Sequence, residues 1–246
     1  MLSTIAIVSF YLVMGLPAAL IGLPWTLLTR DISFLYRWAM WIDHTALKVA
    51  GIRIDVKGLE QLDPAQHYIF MSNHVSNLDP PVLLPLLPGR TSVFLKRSLM
   101  KIPVLGYAMQ LGDFVPVDRD GRVESAKQSV EQARRVMDSG LHMTSFVEGT
   151  RSRDGRLLPF KKGPFYLAME TGRPVVPISI WGTESMMKKG SVRITPGTAH
   201  VVFHPPLLPR DYATREDLMA AVRQTIASSL PEWMRNTPAA ASTVSE

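Results

Sequence analysis

In Asn73-His74-Val75-Ser76-Asn77-Leu78-Asp79 an imidazole is followed closely by a carboxylate, which are the parts of a general base and the group that orients it. The run His67 to Met71 ahead of them is β-prone. Asp79 is followed by Pro80, Pro81 and an apolar stretch from Val82 to Leu87, so the expected order is strand, turn, helix. Asp79 is expected to cap that helix, with Pro80 at its first position. His74 then leaves the end of a strand, at the sheet edge where α/β proteins bind ligands. A second segment repeats the pattern. The β-prone Thr144 to Val147 runs into Glu148-Gly149-Thr150-Arg151-Ser152, a glycine turn bearing a carboxylate, a hydroxyl and a guanidinium. Such a turn can hold a phosphate, although an isolated turn of this composition is also an ordinary solvated β-turn.

The residue inventory narrows the chemistry. With 0 cysteines there is no thiol acyl-enzyme, no disulfide scaffold and no cysteine-ligated zinc or iron–sulfur centre. No Gly-x-Ser-x-Gly elbow is present, so attack by a bound alcohol on an activated acyl group is simpler than a covalent intermediate, and Ser76 is not taken as a nucleophile. No Walker A loop or dinucleotide fingerprint occurs. His200 and His204 flank a β-prone Val201-Val202-Phe203 and precede Pro205, which argues against a helical metal pair; no metal ligand is assigned.

These side chains must be placed by a sheet. Candidate strands are Ile52 to Val56, His67 to Met71, Ser92 to Leu95, Phe114 to Val117, Thr144 to Val147, Val175 to Ile180 and Ala199 to Phe203. The clearest helix is Arg122 to Ser139, with Val123, Ala126, Val130, Ala133 and Met137 on one face and Gly140 as its stop. Others follow Gly163, ending near Gly172, and start at Thr214, with Leu218, Ala221, Val222 and Ile226 inward. Strands alternating with helices imply an α/β fold, a mixed central sheet flanked by helices. In 246 residues one core and one catalytic domain are expected, at 51–235, followed by a flexible tail at 236–246.

The first 50 residues differ in character. Leu2 to Thr29 carries no charge and is long enough to cross a hydrocarbon core of about 30 Å as one helix. Pro17 and Pro24 put its continuity in question, so a spanning helix and a monotopic anchor are both open. A cleaved signal peptide is disfavoured, because no Lys or Arg precedes the apolar run while Arg30, Arg37, Lys48 and Arg53 follow it. That bias would put the catalytic domain on the cytoplasmic side. From Asp31 to Ala50, Phe34, Leu35, Trp38, Trp41, Ile42 and Ala46 share one apolar face, and the tryptophans suit a membrane interface. The net charge of +6 would by itself suit nucleic acid, anionic lipid or phosphorylated substrates. The apolar N-terminus selects lipid, and no nucleic-acid partner is expected.

Four blocks in order resemble the 1-acylglycerol-3-phosphate O-acyltransferases (lysophosphatidate acyltransferases) of the glycerolipid acyltransferase superfamily. They are Asn73-His74 to Asp79; Lys96, Leu99, Pro103 and Gly106 with Asp118-Arg119 beyond; Glu148 to Arg151 continuing into Phe160-Lys161-Lys162-Gly163; and Val176-Pro177-Ile178-Ser179-Ile180. The family usually has Pro where this chain has Val147, read as a change in turn rigidity and not in chemistry. The resemblance implies acyl transfer from acyl-CoA or acyl carrier protein to 1-acyl-sn-glycerol 3-phosphate at a membrane, forming phosphatidic acid in phospholipid biosynthesis. The thioester is a co-substrate, and no cofactor is implied. It implies His74 and Asp79 as catalytic residues, with Lys96, Arg119, Glu148, Gly149, Thr150 and Arg151 binding substrate and Arg151 first among them for the phosphate. Another lysophospholipid or an aminolipid as acceptor, or a non-catalytic protein that binds anionic lipid, are the alternatives. Oligomeric state is not specified by the sequence.

Overall fold

The structure, a computed structural model, describes residues 1–118 and 122–235. Among these, helices α1 (Leu2–Pro17), α2 (Leu23–Thr29) and α3 (Ser33–Val49) precede β1 (Ile52–Lys57), β2 (Ile69–Ser72), α4 (Asp79–Leu83), β3 (Thr91–Lys96), α5 (Leu105–Leu111) and β4 (Val115–Val117). Then come α6 (Val123–Asp138), β5 (His142–Phe146), α7 (Gly163–Thr171), β6 (Val175–Trp181), α8 (Thr183–Met186), β7 (Gly197–Phe203), α9 (Arg215–Ser229) and α10 (Glu232–Arg235).

The described strands form one seven-stranded sheet in the order β1-β7-β6-β2-β5-β3-β4. The β6–β7 pair is antiparallel and the other pairs are parallel, so the sheet is mixed. Alternation along β2 divides the core. Phe70 faces a cluster with Ala46, Leu47, Val82, Leu83, Ile178 and Phe203, under α3 and α4. Ile69 and Met71 face the other, with Met143, Phe165, Leu218, Val222 and Ile226, under α7 and α9. The last helix begins as its sequence demands: Thr214 and Asp217 exchange side-chain and backbone hydrogen bonds in a capping box.

Several expectations need correcting. Pro17 and Pro24 do not break the N-terminal helix. A π-helical stretch at Ala18–Gly22 carries it through, giving one apolar helix over Leu2–Thr29. One side of α1 is docked: Ile7 enters the core, Thr4 Oγ1 accepts from Ile194 N at 2.9 Å, and Tyr11 donates to Asp43 at 2.8 Å. The apolar face of α3 is two faces. Leu35, Ile42 and Ala46 are buried, whereas Phe34 and Trp41 are exposed. On α6, Ala126 is exposed and Ser129 is buried, because the first half of the helix turns Ser129 toward β4, its hydroxyl donating to Pro116 O.

Candidate functional site

Five parallel strands, β6, β2, β5, β3 and β4, end at the same edge, and the residues singled out by the sequence leave from those ends. His74 follows β2, Glu148 follows β5, Lys96 closes β3, and Asp118 follows β4. Arg119, on the substrate-binding side of the sequence reading, lies outside the described residues, as does the tail at 236–246.

His74 Nδ1 lies 2.8 Å from Asp79 Oδ2. A carboxylate only accepts, so Nδ1 carries the ring proton and Nε2 is left as the basic nitrogen. The imidazole is 16% exposed and Asp79 fully buried, so the ring is open to solvent while its partner is sealed from water. Phe146 stacks on the ring with centroids 4.3 Å apart, fixing its plane. Asp79 does not cap α4. Its Oδ2 turns back into the loop and accepts from Val75 N at 2.7 Å and Ser76 N at 2.8 Å. The loop is thereby wrapped around the carboxylate, and the acid that was expected to start a helix holds the base instead. Thr183 Oγ1 donates to the other oxygen at 2.5 Å. Ser76 Oγ donates to Met187 O at 2.9 Å from a buried position, which agrees with reading it as no nucleophile.

The Glu148 loop is tied to the same histidine at two points. Glu148 Oε1 accepts from His74 N at 2.9 Å, and Ser152 N donates to His74 O at 2.9 Å. Gly149, Thr150 and Arg151 form the short bridge between these ties. Gly149 has φ +67°, and a Cβ there would come within 3.0 Å of Lys161 Cγ, so glycine is required both for the turn and for the approach of Lys161. Arg151 and Thr150 are half-buried, and Lys189 Nζ donates to Arg151 O at 2.6 Å. Glu148 Oε2 accepts from Leu158 N at 3.0 Å. Burial pushes the Glu148 carboxyl up to about 7, against the pull of these two N–H donors. Glu148 thus braces the two loops against each other.

Val147, where the resemblance leads one to expect Pro, donates its N–H to Ser72 O at 3.0 Å and accepts from Lys161 N at 2.7 Å. A proline would lose the first of these bonds.

Lys96 is exposed and stands two strands from β2, roughly 10 Å at the usual strand spacing. It lines a cleft of about 250 Å³ with Arg97, Ser98, Lys101, Val117 and Asp118. Arg97 Nε reaches both Asp118 oxygens, at 2.7 and 2.8 Å. A larger cleft of about 430 Å³, lined by Gln66, Arg134, Asp138 and Glu170, opens at the opposite end of the strands and is remote from His74. His200 pairs with Asp55 at 3.0 Å, and His204 with Ser179 at 2.8 Å, so each has a structural partner.

Three positioning residues escaped the sequence reading of roles. Asn73 exchanges two 2.8 Å hydrogen bonds with the backbone of Ile180, stitching β2 to β6 directly beside His74. Thr183 was signalled only by its place after the fourth block. Arg223, on the inward side of α9, donates to Leu158 O at 2.8 Å and Leu157 O at 3.3 Å, fixing the segment that binds Glu148. A cation beside an apolar helical stripe was its only trace.

Comparison with known proteins gives consistent results. A family model described as acyltransferase matches residues 53–181. A 1-acyl-sn-glycerol-3-phosphate acyltransferase of Limnanthes douglasii is 31% identical over 85% of this chain and 74% of its own. The alpha enzyme of that name from Homo sapiens is 34% identical over 69% of this chain and 60% of its own. The crystal structure of the 1-acyl-sn-glycerophosphate (LPA) acyltransferase PlsC from Thermotoga maritima superimposes with a TM-score of 0.75 at 27% identity, covering 90% of this chain and 92% of that one.

Proposed function

This chain belongs to the acyltransferase family, among the 1-acyl-sn-glycerol-3-phosphate acyltransferases, and we propose that it acylates the free hydroxyl of 1-acyl-sn-glycerol 3-phosphate to form phosphatidic acid. The observation that carries this reading is the His74–Asp79 pair at 2.8 Å with the Glu148–Ser152 loop pinned to the same histidine.

In the proposed reaction His74 Nε2 takes the proton of the acceptor hydroxyl as its oxygen attacks the thioester carbonyl. Asp79 holds the tautomer and stabilises the imidazolium that forms. The tetrahedral intermediate collapses, the C–S bond breaks, and the thiolate receives the proton from His74. Arg151, close to His74 along the chain fold, binds the acceptor phosphate, with Lys96 and Arg119 completing its charge. Thr150 and the backbone at Gly149 supply hydrogen bonds, and Glu148 orients the loop. The donor is acyl-CoA or acyl carrier protein.

The apolar helix at Leu2–Thr29 suggests membrane association. We assign residues 1–50 to a membrane-associated helical motif and 51–235 to the catalytic domain, facing the cytoplasm by the basic residues that follow the apolar run. The test offers the purified protein a panel of lysolipids with acyl-CoA and acyl carrier protein donors. Thioester consumption that requires lysophosphatidate supports the assignment. Preference for another lysolipid would reassign the acceptor, and absence of turnover with every pair would overturn the enzymatic reading.

A further inference from the structure

Helix α5 packs the half-buried Ala108 and Leu111 against the N-terminal motif, on a cluster of Ala18, Ile32, Leu35 and Ile42. The residues on its other side have no such cover. Leu99, Ile102, Val104, Leu105 and Tyr107 are 40–53% exposed, a dense group of large apolar side chains for a surface segment. The segment is held rigidly. Gly106 packs so closely that a Cβ would lie 2.1 Å from Met100 O. Val104 has φ 64° and ψ −59°, closed by a 2.7 Å hydrogen bond from Leu105 N to Pro103 O. A β-branched residue is strained in that conformation, which turns the chain into α5 and leaves the Val104 side chain exposed.

Basic residues rim the patch: Lys96 and Lys101 are exposed, and Arg97 is engaged with Asp118. Through α5 the patch adjoins the apolar N-terminal helix, whose exposed residues include Leu12, Leu16, Leu20 and Trp25. Apolar side chains surrounded by cations and continuous with an apolar anchor match the chemistry of an anionic bilayer surface.

We propose that residues 97–107 form a second membrane-contacting element, whose apolar side chains enter the headgroup–acyl boundary of anionic lipid while Lys101 meets lipid phosphate. This rests on the membrane association of the N-terminal helix. The element directly follows β3, so it brings the carboxyl edge that carries His74 onto the lipid surface, and a lysolipid reaches the base without leaving the interface.

Because the chain has 0 cysteines, single labels test this in the full-length protein. Leu105→Cys, Leu12→Cys and Glu170→Cys carry an environment-sensitive fluorophore in phosphatidylcholine–phosphatidylglycerol vesicles, with and without brominated acyl chains. The label at 105 is expected to be quenched several-fold more than that at 170, and adding Lys101→Glu should weaken quenching at 105 but not at 12. Quenching at 12 with 105 equal to 170 overturns the second contact alone. No quenching at 12 or 105 removes the anchor reading as well. Shielding of 105 from aqueous iodide without lipid quenching would assign the patch to a contact between copies of the chain and likewise overturn the proposal.

Discussion

The hydroxyl of Thr183, on the first turn after β6, lies 2.5 Å from Asp79 Oδ1, while His74 takes Oδ2. The two oxygens of one buried carboxylate are therefore committed to different parts of the fold, and the direction in which Asp79 faces the imidazole is set by a residue 104 positions away in sequence.

Thr183→Val keeps the shape and removes the donor, leaving a buried carboxylate oxygen unpaired. A hydrogen bond to a charged group is worth about 1.5 to 3 kcal/mol. If that loss falls on orientation of the base, kcat should drop roughly ten- to a hundredfold with KM little changed. Thr183→Ser should restore most of it. Equal loss in the Ser and Val variants, with both folded, would deny Thr183 this positioning role.

Removing the base itself should cost more. His74→Ala is expected to lower kcat by about 10² to 10⁴ with lysophosphatidate binding retained. Asp79→Asn should cost as much or less, since the base survives, but it also turns an amide toward the N–H groups of Val75 or Ser76 and should lower the unfolding midpoint. Steady-state kinetics and thermal unfolding of the purified variants measure both.

Arg151→Lys distinguishes phosphate recognition from loop support. A point charge does not reproduce two parallel hydrogen bonds to phosphate, so the loss should be about tenfold or more with lysophosphatidic acid and much smaller with monoacylglycerol. Equal losses on both acceptors would give Arg151 a structural role and move the phosphate site toward Lys96 and Arg119.

Glu148 makes a pH prediction. Its carboxyl is pushed from an ordinary 4.5 up to about 7 by burial, so the folded state binds the proton more tightly than the unfolded chain. The stability associated with that proton is fully present below about pH 4.5 and is lost as pH rises to about 7, on the order of 3 kcal/mol in all. Denaturant unfolding of the parent protein, referenced to Glu148→Gln, should show this fall over that window. A flat difference would mean that the N–H groups of His74 and Leu158 keep the carboxylate ionised throughout.

The sequence made the scaffold legible where signals are local. The β-prone runs match all seven strands of the described sheet to within two residues at either end, because glycine and proline punctuate them here. His74 and Asp79 are legible because they stand only five positions apart, joined by one short loop. What was hidden depends on distant partners. The position of Asp79 in the sequence permits a helix cap, but three donors behind and beside it compete better than the helix end. Thr183 and Arg223 act across the sheet and on its far layer, and no spacing rule reveals them. The apolar residues of α3 looked like one face because periodicity marks hydrophobicity without telling which side meets protein and which remains uncovered.

The strand order also separates two kinds of change. The His74–Asp79 pair is held by β2 and its neighbour β6, through Asn73 and Thr183, and braced by the loop after β5, whereas Lys96, assigned to the acceptor phosphate, closes β3 on the far side of β5. Insertions or substitutions after β3 or β4 can therefore alter which headgroup is admitted while proton transfer stays intact. Diversification of acceptor choice in such a scaffold should accumulate on one wing of the sheet, leaving the other nearly unaltered.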